Sequence, residues 1–407
     1  MRSSCHRRHL LFAAVCVLAS ATGLRAQAPP APILPSTKIV QAGPVSLYPS
    51  ISLHDVGTDS NVYNDGITPR EDFTYSVMPR LFAVLPIGNG RFFGTGTGDF
   101  VYFRTYKDQQ SLNGFFEGRY DFVDGIIRPF ASISYGTQER QTLEIDERIR
   151  QDRTALTLGS EIDIASKTSL MGWVHREKTA WDPNEAYLGV SLAEQLDSTT
   201  DIAAAGARIR LTPFTSVVAV AEIQRDRFES SSEKDADSLR VAPYVEFDNG
   251  AAIVGRVRAG YRAFRPVHSG LAGYDGPVAS VALGLRILDR LRGRVDGGRD
   301  VRFSYDPLQP FYLETGVLFE IRHRVAGPFE LIGMGERWQL RHQRIGGTSF
   351  DGRRENTNVI GGGIGIRVRE QVELSFTVDR RERTSSDPLL RGYERQRILA
   401  SVTYGLS

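Results

Sequence analysis

From residue 43 to residue 407 the chain alternates apolar and polar side chains in runs of about ten to fifteen residues. Successive side chains of a strand point to opposite faces, so each run predicts a strand with one apolar and one polar face. In 112–122, Leu112, Gly114, Phe116, Gly118, Tyr120 and Phe122 share one face, and Asn113, Glu117, Arg119 and Asp121 the other. In 311–322, Phe311, Leu313, Val317, Phe319 and Ile321 oppose Glu314, Glu320 and Arg322. In 372–378, Val372, Leu374, Phe376 and Val378 oppose Glu373, Ser375 and Thr377. The same phase holds at 253–261 and 279–287. It holds again in the last run, where Ile398, Ala400, Val402, Tyr404 and Leu406 oppose Arg395, Arg397, Ser401 and Thr403. Strict alternation puts Arg299 on the apolar face of 291–303, and the phase of 171–175 and 331–340 is ambiguous.

The connections alternate in length as well. Short turns fall at Pro86-Ile-Gly-Asn-Gly90, Val123-Asp-Gly125, Ser166-Lys-Thr168, Thr212-Pro-Phe214, Asp248-Asn-Gly250, Leu288-Asp-Arg290, Ala326-Gly-Pro328 and Arg369-Glu-Gln371. Longer hydrophilic stretches lie between them, among them 58–71, 139–152, 179–201, 227–237, 265–276 and 345–354. Eight turns and nine loops imply about eighteen strands, with sixteen the nearest alternative. Short connections at one end and long ones at the other, joining long two-faced strands, predict an all-β fold. The expected architecture is a transmembrane antiparallel up-and-down β-barrel with apolar faces to lipid and polar faces to a wet lumen. A soluble sandwich or solenoid has shorter strands, no reason to segregate its connections, and less charge on the polar face. An even strand count puts both termini on one side, expected to be the periplasm with the short turns, and the long loops outside.

Residues 1–26 carry Arg2, Arg7 and Arg8, an apolar run from Leu10 to Leu18 and Leu24-Arg-Ala26, the pattern of a secretory signal peptide. Residues 27–42, with Pro29, Pro30, Pro32 and Pro35, read as an extended periplasmic leader, and 43–407 as the barrel. Cys5 and Cys16 both fall in the signal, so a processed chain has neither disulfide nor lipid anchor. Four arginines and no acid leave with it, which takes the formal charge from +2 to −2 and removes support for nucleic-acid binding. No later stretch is long and apolar enough for a membrane-spanning helix.

Asp59-Ser-Asn-Val-Tyr63, then Glu71-Asp-Phe-Thr-Tyr75 and Met78-Pro-Arg-Leu81, resemble the opening hairpin of the putative β-barrel porin type 2 family. The resemblance implies a channel-like outer-membrane protein, with some relatives in polysaccharide production or export. The implied partners are outer-membrane lipid and lipopolysaccharide, the barrel-assembly machinery, and a polar small-molecule or polysaccharide cargo. The chain ends Tyr404-Gly-Leu-Ser407, a departure from the terminal Phe or Trp common in outer-membrane barrels.

On these phases strands eleven to thirteen send Arg256, Arg258, Arg262, Arg286, Arg292, Arg294 and Arg302 into the lumen, with Asp296 and Asp300 among them. Other strands contribute Glu117, Arg119, Asp121, Glu161, Asp163, Glu222, Glu246, Glu314, Glu320, Arg322 and Glu373. Two arrangements are open: positive and negative walls facing across a pore that selects anionic or sugar-like solutes, or Arg and Glu paired with one another. Aromatics near strand ends (Tyr48, Tyr75, Phe92, Tyr102, Tyr135, Tyr261, Phe303 and Tyr404) suit interfacial girdles. The acidic clusters Glu144, Asp146, Glu147 and Glu233, Asp235, Asp237 suit solvated external loops or a divalent-ion site. The loop 179–201, helical over 186–196, is a candidate to fold inward as a constriction.

Catalysis lacks a template. After the signal the only histidines are His54, His175, His268, His323 and His342, and no spacing marks a triad. No metal-ligand motif or nucleotide fingerprint occurs, and Gly361-Gly-Gly-Ile-Gly365 lies within a strand, so no metal or cofactor is expected. Sequence therefore favours a channel for small polar or anionic solutes or for polysaccharide export. The alternative is a plugged structural or adhesion barrel whose outer loops hold a ligand.

Overall fold

The structure, a computed structural model, describes residues 40–405 except 249–251, 269, 288–289, 348–349, 370 and 387–391. The signal, most of the leader, parts of three turns and the last two residues lie outside the described residues. Eighteen staves form one closed antiparallel barrel. They are β1 (Val45–Asp59), β2 (Asp72–Ile87), β3 (Gly90–Phe103), β4 (Ser111–Phe122), β5 (Ile127–Arg140) and β6 (Ile149–Ala165). Next come β7 (Thr168–Trp181), β8 (Ser198–Thr212), β9 (Thr215–Phe228), β10 (Ala236–Val241 and Tyr244–Phe247), β11 (Ile253–Pro266) and β12 (Tyr274–Ile287). The last are β13 (Leu291–Phe303), β14 (Phe311–Ala326), β15 (Phe329–Gln343), β16 (Arg354–Arg369), β17 (Val372–Ser385) and β18 (Tyr393–Tyr404).

Each stave pairs with its neighbours in sequence, and β18 closes on β1 from Ile51↔Tyr404 to Asp59↔Arg397. Val40–Ala42 adds a short hairpin onto Val45–Leu47, so regular pairing begins three residues before the expected boundary at 43. Closure pairs every stave on both sides over most of its length, the condition for strands to sit in hydrocarbon, and β12 and β13 separate only above Ala279↔Arg299. At the seam β1 bulges, with Asp55 at φ 54° and register shifts between Leu53 and Val56 and between His54 and Gly57. Gly57 permits the approach there, since a Cβ would lie 1.9 Å from the Ile398 carbonyl oxygen. Two-residue turns cap several hairpins; Gly88 provides the positive φ, 54°, between Ile87 and Gly90. Pro243 cannot donate to a ladder, and β10 breaks at Ala242-Pro243.

The alternation in the sequence is the alternation in the wall. Leu112, Phe116, Phe319, Ile321, Ile360, Phe376 and Ile398 stand exposed on the outer face, Leu112 at 73% and Ile360 at 72%. The ambiguous runs resolve: Met171, Trp173 and His175 point inward with Thr157 and Ile202, and so do Ile332, Glu336, Trp338 and Leu340. Of the expected girdle, Tyr75, Phe92, Tyr102, Tyr135, Tyr261 and Tyr404 face outward. Tyr48 instead faces inward beside Phe82, and Phe303 is packed against Phe228 and Phe264.

Unbroken staves of 12 to 17 residues, rising ~3.3 Å per residue at a tilt of ~40°, stand roughly 30–43 Å high. An apolar band of about 25 Å leaves a collar above it. At the loop end the outer face accordingly turns charged, with Arg176–Asp201 at 2.6 Å, Arg227–Asp237 at 2.7 Å and Arg265–Asp275 at 2.6 Å. Arg299 also points outward, as alternation requires, and donates to the Thr315 hydroxyl at 3.1 Å. Phe319, halfway along β14, tests the lipid face. Phe319→Arg should lower unfolding stability in lipid vesicles by about 2–4 kcal/mol, measured by denaturant titration, and an unchanged midpoint would contradict the assignment.

Candidate functional site

The predicted lumen residues Glu117, Arg119, Asp121, Arg256, Arg258, Arg262, Arg286, Arg292, Arg294, Glu314, Glu320, Arg322 and Glu373 all lie on the inward face. They do not form two walls of opposite sign. Acid and base interleave: Glu222 accepts from Arg258 at 2.6 Å and Arg240 at 3.0 Å, and Asp300 from Arg240 at 2.7 Å and Arg262 at 2.8 Å. Arg302 pairs with Glu314 at 3.5 Å, Arg256 with Glu246 at 2.6 Å, Arg119 with Asp121 at 2.7 Å, and Arg294 with Asp296. Toward the turn end, Arg292 bridges Glu330 and Glu373, while Arg322 bridges Glu320 and Glu373. Charges this buried are tolerable only when paired, and proximity along the wall pairs them before they can address one another across the lumen.

The expected constriction, 179–201, shrinks to residues 182–197 because β7 runs to Trp181 and β8 starts at Ser198. Its helix covers only Leu192–Leu196, after a two-residue hairpin of Ala186–Tyr187 with Val190–Ser191. It turns inward, but it does not cross the lumen. The segment that crosses is 141–148, whose acids had suggested solvated loop or an ion site. Glu144, Ile145 and Asp146 are buried, at 3%, 3% and 7% exposure. Asp146 pairs with Arg383, which also holds Glu355. Glu144 accepts from Arg353 at 3.4 Å and from the hydroxyl of Ser304. Gln141 donates to the Val62 carbonyl at 2.9 Å and accepts from Arg395 at 2.9 Å, while Arg395 also grips Asp59. Ile145 enters an apolar cluster with Trp181, Tyr187, Leu192, Leu196, Phe228 and Tyr305. A strap rooted on β5 and β6 is thus anchored to β1 and β16–β18 and covered by two other loops. Of the second acidic cluster, Asp235 caps the Phe228 amide at 2.8 Å and Asp237 pairs with Arg227. Among the described residues no group of His, Cys, Asp and Glu is arranged to hold a metal.

Beneath the strap is a cavity of about 440 Å³. Eight inward-facing arginines line it (Arg140, Arg153, Arg240, Arg258, Arg262, Arg294, Arg302 and Arg381) against five carboxylates, those of Glu144, Asp296, Asp300, Glu314 and Glu336. Seven of the eight are ion-paired, Arg240 and Arg258 with Glu222 and Arg153 with Glu177 just outside the lining, which leaves Arg140 as the lining arginine without a carboxylate partner among the described residues. His342, whose ring is fully buried, approaches Arg353 at 3.3 Å, and His175 approaches Thr157 at 2.9 Å; Ser304 donates to a carboxylate rather than to a histidine.

Removing Arg383 takes a cation from two buried carboxylates, of which Glu355 keeps Arg353 at 2.6 Å and Asp146, on the strap, loses its ion pair. Arg383→Ala should free the strap, a loss of about 3–5 kcal/mol of docking, and open Arg148 to trypsin. Asp146→Asn, which keeps the shape, should do so less; equal resistance in all three proteins would contradict the anchoring. Lys234, in the loop after β9, is also buried and donates to the Gln195 side chain at 2.7 Å, the Gln195 carbonyl at 3.2 Å and the Ser304 carbonyl at 2.8 Å. Burial pulls its ammonium from 10.5 down to about 8, against the opposing pull of Glu144, Glu233 and Asp306. Undocking restores the ordinary value, so the docked loop binds fewer protons between these limits. Its stability should therefore rise from pH 8 to 10.5 and be flat, for this group, below 8. Amide-exchange protection at 231–235 measures this against Lys234→Met, in which the slope should vanish.

Comparison with curated protein sequences finds no match. Among solved structures the chain is similar to OpdK of Pseudomonas aeruginosa, at 10% identity and TM-score 0.49, covering 88% of this chain and 98% of that one. It is similar to OccK2 (OpdF) of the same organism, solved in complex with glucuronate, at 10% identity and TM-score 0.46 with the same coverages. The siderophore receptor PirA of P. aeruginosa matches at 10% identity and TM-score 0.41, over 88% of this chain and 79% of that one. The model of the family described as putative beta-barrel porin 2 matches residues 40–405, so this chain, a closed barrel of eighteen two-faced strands around a charged lumen, belongs to that family of outer-membrane barrels.

Proposed function

We propose that this porin-like barrel is a diffusion channel for small, polar, anionic solutes, carboxylated sugars among them, with the strap 141–148 as its constriction. The observation that carries the reading is the cavity under the strap, an arginine-rich chamber into which Arg140 projects a guanidinium beyond those that carboxylates hold. Planar guanidinium binds carboxylate or phosphate through two hydrogen bonds, and a positive chamber concentrates anions ahead of the narrowing. Arg140 contributes most directly, because among the described residues no carboxylate lies within ion-pair distance of it. A polysaccharide would have to displace the strap, so export of a polymer fits less well than passage of small solutes. The signal peptide at 1–26, the leader at 27–42 and periplasmic termini belong to the same proposal, with the short turns in the periplasm and the long loops outside.

One observation favours a second reading, a closed barrel that presents a ligand on its loops: Ile145, Tyr187, Leu192 and Tyr305 form a buried apolar cap over the lumen. Planar bilayers separate the two. The channel reading expects discrete conductance steps with anions preferred over cations. Replacing 142–146 by two glycines should raise conductance several-fold, and Arg140→Glu should reduce anion preference without changing heat-modifiable migration. A folded wild type and a folded strap deletion that both fail to conduct would leave the closed-barrel reading.

A further inference from the structure

The collar of charge above the apolar band is not uniform. From β6 to β12 its outward-facing bases lie beside acids: Arg150 pairs with Asp152, Arg176 with Asp201, Lys178 with Glu229, Arg227 with Asp237 and Arg265 with Asp275, and Arg225 stands between Asp201 and Asp237 as its cross-strand neighbours. On β15 and β16 the pattern fails. Arg341 and Arg354 are direct cross-strand partners, both exposed and both facing outward. Arg337, four residues along β15 toward the membrane, is exposed on the same face opposite Asn358. Among the described residues no carboxylate lies within ion-pair distance of these three arginines. The nearest outward acids in the ladder are Glu382, opposite Asn358, and Glu394, which Arg380 occupies at 2.8 Å.

Like charges directly opposite one another destabilise a sheet. Here the pair persists with no acid on the flanking strand positions, where Leu313 lies beside Arg341. The arrangement becomes favourable when an anion sits between the two guanidiniums. Adjacent strands lie about 4.8 Å apart, so both forks can converge on one phosphate in the two-point geometry that arginine makes best. Polar neutral groups surround the pair: Gln339 bridges Arg341 at 2.8 Å and Asn356 at 3.0 Å. Immediately below come Gly335, Ile360 and Phe319, the upper edge of the lipid-facing surface. An anion held here would therefore lie at headgroup depth, with its apolar part against the band.

We propose that the outer face of β15 and β16 is a docking site for the phosphorylated headgroup of an outer-leaflet glycolipid, with Arg341 and Arg354 clasping a phosphate and Arg337 and the amides contacting the sugar. This rests on the orientation given under the proposed function, with the loop end outward. It is independent of whether the lumen conducts.

The test uses full-length barrel refolded in neutral detergent and titrated with diphosphoryl lipid A, its phosphate-free counterpart, inorganic phosphate and phosphatidylglycerol, with native mass spectrometry as the readout. Lipid A should bind at least tenfold more tightly than the other three. The double variant R341Q/R354Q should lose that advantage, while R265Q, on the neutralised side of the collar, should keep it. Heat-modifiable migration identifies folded barrels, and R337Q gives a milder lesion should the double variant misfold. Equal binding by wild type and folded variants, or of both lipid A forms, would overturn the proposal. Preference for inorganic phosphate would overturn the glycolipid assignment, and preference for phosphatidylglycerol would overturn the orientation. Bilayer conductance of the same samples should be unchanged by R341Q/R354Q, so failure here and failure of the channel reading are told apart.

Discussion

Hydrocarbon does not accept an unpaired charge, and 24% of this chain is charged. That single constraint divides the molecule into three regions: an outer face of apolar side chains, an interior that takes most of the ionic groups, and a collar above the membrane for those that remain outside. Once one residue of a stave is assigned to lipid, the two-residue period assigns all the others. The barrel's chemistry is thus a consequence of its solvent. Arg256, Arg258 and Arg294 are inside because the positions beside them, Val257 and Val295 among them, must face lipid.

Crowding the interior with charge has its own consequence. A buried ion without a partner costs far more than a pair contributes, so the wall saturates its carboxylates locally, as Glu222 and Asp300 do with three arginines between them. Only the surplus of base, Arg140 above all, is left without a carboxylate among the described residues. The same rule fixes the strap. Asp146 and Glu144 leave water only because Arg383 and Arg353 meet them, and the Ile145 side chain then gains an apolar pocket that an external loop could not provide.

This division explains what could be read from sequence. Face assignment needs only parity, and parity holds in the six runs that showed it clearly, except that Phe311 and Leu313 are buried where β12 and β13 part instead of facing lipid, and Leu406 lies outside the described residues. It was unreadable at 331–340, where Trp338 and Leu340 enter the lumen and Arg337 leaves it. The strap was misread because composition cannot distinguish a loop that turns to solvent from one that turns inward. Its partners lie far off in the chain: Arg383 is 237 residues from Asp146. The local trace was Leu143-Glu-Ile-Asp146, an apolar and acidic alternation inside a loop, where a solvated loop needs no apolar residue. Of the outward arginines of β15, Arg337 falls in the run of ambiguous phase and Arg341 just beyond it, so their face became visible only with the register.

Strand height joins these parts. β12 and β13 are paired only up to Ala279↔Arg299, yet β12 begins at Tyr274 and β13 continues to Phe303. Above that point the two staves part, and Phe264, Tyr274, Val278, Val301, Phe311 and Leu313 fill the gap. Asp300 spans the separation, taking Arg240 and Arg262 from the other side. This parting brings Ser304 and Tyr305 against the strap. Two unpaired strand edges could not exist in hydrocarbon, where their amides would have no partner. The split must therefore lie above the band, and the surplus length of the staves is what places it there. A barrel cut to membrane height would have to zip β12 to β13 along their whole length, and loop 304–310 could then no longer reach Glu144.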